Sequence, residues 1–202
     1  MNLIFLDTET TGNEPGKDRL CQVCYQIGNT IRTEYFKPPV PISVKSMSIT
    51  HITNKMVEDK PSFDNSEMQK ELISLLPNHI LVAHNAKFDI SMLEAEGLNV
   101  PNFICTLKVS HYLDTEAIIP EYNLQFLRYY LDLDVSGSAH DAEGDVRVLH
   151  ALFQRQLQKF LDQGLNEEEA ISKMIEISKT PLLFKKFSFG KHKDKTVAEV
   201  AR

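Results

Sequence analysis

The sequence of 202 residues holds three cysteines, and they are scattered. That excludes a disulfide framework and leaves the fold to an apolar core. No apolar run approaches the ~18 residues that a membrane span requires. The stretch from Leu3 to Leu6 is too short for the core of an export signal. Internal repeats and low-complexity tracts are also missing, which argues against solenoids and long disorder. Together these absences point to a cytoplasmic protein with no membrane contact. What is present is ordinary for a globular chain: 42% hydrophobic and 25% charged residues. The length suits one domain with a sizeable core, with room for an appendage.

Charge is placed unevenly. Residues 179–202 carry seven Lys/Arg against Asp194 and Glu199, a net +5, so the rest of the chain carries −11 of the total −6. A body of residues 1–178 is therefore expected, followed by a basic appendage of residues 179–202, with Thr180-Pro181 at the joint. An acidic body with a basic tail suggests an anionic partner for the tail. Lys185, Lys186, Lys191 and Lys193 are its candidate phosphate contacts; a solvated basic hairpin is the plain alternative. Thr196 to Arg202 opens a helical pattern and stops, so a truncated tail is one expectation.

Periodicity predicts strands at residues 2–6, 21–28, 31–36, 79–83 and 103–105. Helices are expected near 45–56, 65–76, 88–95, up to 113 after the last strand, and over 122–131, 142–160 and 167–177. Strands come first and then mix with helices. The expected fold is an α/β sandwich with a mixed central sheet flanked by helices, plus a small β-rich piece at 187–197. Cys21 and Cys24 form a C-x-x-C pair, but residues i and i+3 of a strand face opposite sides. They and Cys105 are assigned to the core.

Three separated places carry acids in unusual contexts. Asp7 and Glu9 lie two apart where the first buried strand runs out, so they point the same way. Asp89 opens a helix after a second buried strand, within His84-Asn85-Ala86-Lys87-Phe88-Asp89. Asp145 lies one turn into the best amphipathic helix, on the side of Val148, Leu149 and Leu152, five residues after His140. Each has a plain alternative: a capped turn, a first-turn acid favoured by the helix dipole, a surface histidine. If the three places converge, the site carries about −4 and cannot stay empty and ionised. Hard oxygen donors select Mg²⁺ or Mn²⁺. Two such cations make a clamp for in-line displacement at phosphorus, and His140 is the candidate base for water.

The ordered set D-T-E-T-T-G, H-N-A-x-F-D and H-D-A-x-x-D resembles the DEDDh (DnaQ-like) family of 3′→5′ exonucleases, over residues 1 to about 155. The resemblance implies a ribonuclease-H-like fold and two-metal hydrolysis at a 3′ end, releasing nucleoside 5′-monophosphates. By motif position it makes Asp7, Glu9, Asp89 and Asp145 metal ligands and His140 the general base. It makes Thr10 a holder of the terminal 3′-hydroxyl and base, against a plain turn threonine. His51 is a candidate contact to the terminal nucleotide, or a helix-start histidine. His84, Asn85 and Phe88 are candidate pocket residues, with Phe88 equally suited to the core.

The segment S-I-T-H-I-T-N-K-M-V, the I-C-T-L-K segment and the F-G-K tail are similar to the exodeoxyribonuclease X group within the family. That similarity favours DNA, single-stranded or duplex, as substrate and DNA repair or proofreading as role. One departure is Leu20-Cys21-Gln22-Val23, where family members often carry an acid that is not a ligand. The motifs do not encode the sugar, so an RNA-trimming enzyme is an alternative. Others are a polymerase-bound proofreading subunit and a non-catalytic nucleic-acid-binding module. Homodimers are common among relatives, and a homodimer, a polymerase or a repair protein is the expected protein partner.

Overall fold

The computed structural model describes residues 1–135, 142–182, 190–192, 195 and 197–200. Five strands form one sheet: β1 (Leu3–Thr10), β2 (Leu20–Ile27), β3 (Thr30–Tyr35), β4 (Ile80–Ala83) and β5 (Phe103–Cys105). Their order is β3-β2-β1-β4-β5. β2 runs antiparallel to both β1 and β3, and β4 and β5 extend the sheet in parallel with β1. The helices are α1 (Val44–Thr50), α2 (Glu67–Leu75), α3 (Lys87–Ala95), α4 (Thr106–Leu113), α5 (Leu124–Tyr130), α6 (Ala142–Asp162), α7 (Glu167–Lys179) and α8 (Val197–Val200). This is the mixed sheet flanked by helices that the pattern predicts.

β1 is buried on both faces, and its alternation decides what each face meets. Ile4 and Leu6 pack in one core with Met68 and Leu72 of α2 and Met92 and Leu93 of α3. Phe5 packs in a second core with Val146, Leu149 and Phe153 of α6 and Ala170, Ile171 and Met174 of α7. Phe5 meets Phe153 edge to face at 5.2 Å. The even positions of β1 therefore look toward α2 and α3, and the odd positions toward α6. Cys21 and Cys24 fall in different cores, as their spacing requires, and Cys105 is also buried.

Helix starts follow local chemistry. Ser66 caps α2 by accepting from the Gln69 amide, and Asn123 caps α5 by accepting from the Phe126 amide. Asn166 and Glu169 form a reciprocal capping box on α7.

Three expectations need correction. β1 continues past Leu6 to Thr10, because β2 pairs with it as far as Leu20. The helix expected over 45–56 stops at Thr50, where His51 turns left-handed with φ of 60° and ends it. In the expected β-rich piece, the described residues Gly190–His192 form a 3₁₀ turn, with Gly190 at φ of 72°. That backbone conformation does not continue a strand. Lys185, Lys186 and Lys193 lie outside the described residues; Lys191 is exposed on that turn. Among the described residues, no helix is long and apolar enough to cross a membrane.

Candidate active site

The odd face of β1 ends in Asp7 and Glu9, and the same face is covered by α6. Asp145, buried in the first turns of that helix, comes down onto the pair. One carboxylate oxygen from each of Asp7, Glu9 and Asp145 lies within 4.8 Å of the others. Three carboxylates this close repel and lose hydration, a cost that a bound cation removes. All-oxygen, all-anionic donors fit a hard divalent cation such as Mg²⁺ or Mn²⁺.

The even face supplies the fourth acid differently. Thr8, between the two β1 acids, donates from Oγ1 to Asp89 Oδ1 at 2.8 Å. Asp89 is only 3% exposed in the first turn of α3. Burial pushes its carboxyl up to about 7, and the Thr8 hydroxyl partly opposes that shift. Asp89 thus adjoins the backbone between Asp7 and Glu9 without entering the group of three.

The end of β1 is bent and braced. The pairing with β2 shifts register between Glu9 and Thr10, a bulge that re-aims the strand end. Thr10 donates from Oγ1 to the Gly12 carbonyl at 2.6 Å, and its own carbonyl accepts from Ser46 Oγ at 2.6 Å. This seats α1 beside the acids. Asp18 closes the loop beyond, accepting from Thr11 Oγ1 at 2.9 Å and the Glu14 amide at 2.8 Å. Gly12 lies against that carboxylate: a Cβ there would sit 2.4 Å from Asp18 Oδ2. Gly12→Ala is therefore expected to destabilise the protein by about 1–3 kcal/mol. Urea denaturation checks this, and an unchanged midpoint would mean that the loop gives way at no cost.

His84 is held from both sides. Nε2 lies 2.8 Å from the Tyr122 carbonyl, and Nδ1 lies 2.9 Å from Thr106 Oγ1. The carbonyl needs a donor, which places the proton on Nε2 and makes Nδ1 the acceptor. Burial lowers its pKa to about 4, so the ring is neutral near physiological pH. His84 thus ties the segment before α3 to the segment before α5. Phe88 is half-buried and packs against the core, whereas Asn85 is exposed at φ of 61°. His51 is exposed at the C-terminal end of α1. His140 lies outside the described residues. The buried Cys21 thiol, beside Glu9, is pushed up to about 12, first by burial and then by that acid. It stays protonated and offers no thiolate.

Three neighbours of the acids are not among the site residues expected from the sequence. Gln125 of α5 donates from Nε2 to Asp145 Oδ1. Gln22 of β2 accepts from the Ala142 amide at 3.4 Å, at the start of α6. Thr8 holds Asp89. Thr8 alone had a usable signal, since it lies within the first motif and alternation turns it away from Asp7 and Glu9.

Comparison with known proteins gives the same picture. The RNase_T (Exonuclease) family profile matches residues 4–153. The chain is 33% identical over 158 residues to the DNA polymerase III subunit epsilon of Treponema pallidum, covering 73% of this chain and 72% of that protein. It is 29% identical over 210 residues to exodeoxyribonuclease 10 of Escherichia coli K12, covering 98% and 85%. It also matches DNA polymerase III PolC-type of Thermotoga maritima, of whose length it spans 13%. Among solved structures, exonuclease X in complex with 5′ overhanging duplex DNA superposes with a TM-score of 0.64 at 26% identity, over 87% of this chain and 99% of that one. The mixed sheet flanked by helices is the ribonuclease-H-like fold of these exonucleases.

Proposed function

The chain belongs to the RNase_T exonuclease family and is a 3′→5′ exonuclease, and from that premise we propose that it trims DNA from 3′ ends to nucleoside 5′-monophosphates. The observation that carries this reading is the approach of Asp7, Glu9 and Asp145 within 4.8 Å. The family is metal-dependent, and the donor set suits two divalent cations, Mg²⁺ or Mn²⁺. Bound there, they would offset charge on the attacking and leaving oxygens of an in-line displacement. Asp7, Glu9 and Asp145 would hold them, with Asp89 as the fourth carboxylate beside Thr8. His140, in the matching motif position, takes the proton from the attacking water onto an imidazole nitrogen. The water oxygen bonds to phosphorus, the bond from phosphorus to the 3′-oxygen breaks, and that oxygen takes a proton from solvent water to become a new 3′-hydroxyl. The bend at Thr10, the wall of α1 ending at His51, and Asn85 and Phe88 flank the place where the terminal nucleotide lies. The His84 contacts described above brace the segment that carries Asn85 and Phe88.

DNA as substrate is supported by the similarity to exodeoxyribonuclease 10 across almost the whole chain. The similarity to an epsilon subunit supports a proofreading setting with a polymerase partner. The test is a 3′-end degradation assay with matched DNA and RNA, single-stranded and duplex, with Mg²⁺ or with EDTA. Mononucleotides released from DNA only with the metal are expected. Preference for RNA would overturn the substrate while leaving the chemistry. His140→Ala should lower the DNA rate about 10²-fold and flatten its rise between pH 6 and 8. An unchanged profile would remove His140 as the base.

A further inference from the structure

We propose that Gln125 is a positioning residue for this site: one amide atom fixes the Asp145 carboxylate, and the other awaits a donor that arrives when the site is loaded. The proposal rests on the metal-dependent reading of the acid group. α5 begins at the Asn123 cap, buries Leu127 and packs on α6. Arg128 donates to the Val135 carbonyl, which fixes the far end of the helix. Gln125 therefore comes from a braced element, and its Nε2 donates to Asp145 Oδ1.

An ionised carboxylate only accepts, so the amide can sit in one orientation. That turns Oε1 away from Asp145. Oε1 is buried and has no hydrogen-bond partner among the described residues. A buried acceptor without a donor is costly and uncommon. Beside a cluster of carboxylates, the donors that would satisfy it are water on a hydrated cation or a hydroxyl of the substrate. The residue type suits the place. A glutamate would add a fourth charge beside Asp145, and a lysine or arginine would neutralise the carboxylates and compete with the cation. A neutral amide does neither, and it holds the Asp145 rotamer toward Asp7 and Glu9. Partners of this kind orient metal ligands, and their loss weakens metal binding.

The test compares the full chain with Gln125→Leu and Gln125→Met, which remove both amide atoms. Mn²⁺ binding is followed by electron paramagnetic resonance without substrate, folding by circular dichroism in EDTA, and kcat and KM on a DNA oligonucleotide. Folded variants should bind Mn²⁺ about 10-fold more weakly. They should also lose kcat at saturating metal, with KM within about twofold, because Asp145 is mis-set while the nucleotide wall is intact. Gln125→Met covers the case in which the branched leucine does not fold. Wild-type-like Mn²⁺ affinity and kcat in a folded variant would overturn the proposal alone. A wild-type chain that binds no Mn²⁺ would overturn the reading of the acid group, and this proposal with it.

Discussion

Asp145→Asn is expected to lower turnover by about 10⁴-fold while the chain folds as before. The substitution keeps shape and volume, so the buried first turns of α6 repack with little change. What it removes is one anionic oxygen from three that lie within 4.8 Å. In EDTA the loss is favourable, because two like charges at that distance repel by roughly 3 kcal/mol at an effective dielectric near 20. The variant should therefore melt at the same temperature as the wild type or higher without metal. Added Mn²⁺ should raise the melting point of the wild type and leave the variant nearly unmoved. Asp7→Asn should behave alike, since both acids serve one cluster. Near-normal turnover in either variant would show that the cluster is not where hydrolysis occurs.

The second large effect belongs to Asp89. Its carboxyl is pushed up to about 7 by burial, against an ordinary value near 4. The sign follows from proton binding. Between about pH 4 and pH 7 the folded metal-free chain holds a proton that the unfolded chain has released. The stability this proton provides is fully present below about pH 4 and is lost as pH rises through about 7. Asp89→Asn removes the ionisable group and keeps an oxygen to accept from Thr8. In EDTA at pH 8 the variant should be more stable than the wild type by up to about 4 kcal/mol, a difference that vanishes near pH 4. With Mg²⁺ it should lose about 10³-fold in rate. A gain in stability with a loss of activity marks a residue kept for chemistry at the expense of the fold. Denaturation midpoints from pH 4 to 8 provide the check: a difference independent of pH would mean that the Asp89 charge is not buried, and retained activity would remove Asp89 from the site.

Much of this arrangement is legible in the chain itself. The alternation of Leu3 to Leu6 runs straight on into Asp7 and Glu9, so a buried strand and a pair of acids on one face are a single pattern. The apolar side of α6 carries Asp145 with Val148, Leu149 and Leu152, and all four are buried. Strand and helix types hold from β1 to α7, because each has a clear period or cap. Boundaries are less legible. The end of β1 depends on pairing with Leu20, and the end of α1 on the turn at His51, neither of which an apolar period marks.

Periodicity and alternation are enough for the sheet-and-helix architecture, the three acidic places and their order, and the face of β1 on which Asp7 and Glu9 lie. Packing settles the rest: Asp145 joins them while Asp89 stays across β1 on Thr8, His84 is tied at both nitrogens, and Gln125 and Gln22 brace α6. Those contacts join residues from 20 to 138 positions apart. They rest on single polar side chains, which have no period to repeat and take on meaning only when packing brings a donor to its acceptor.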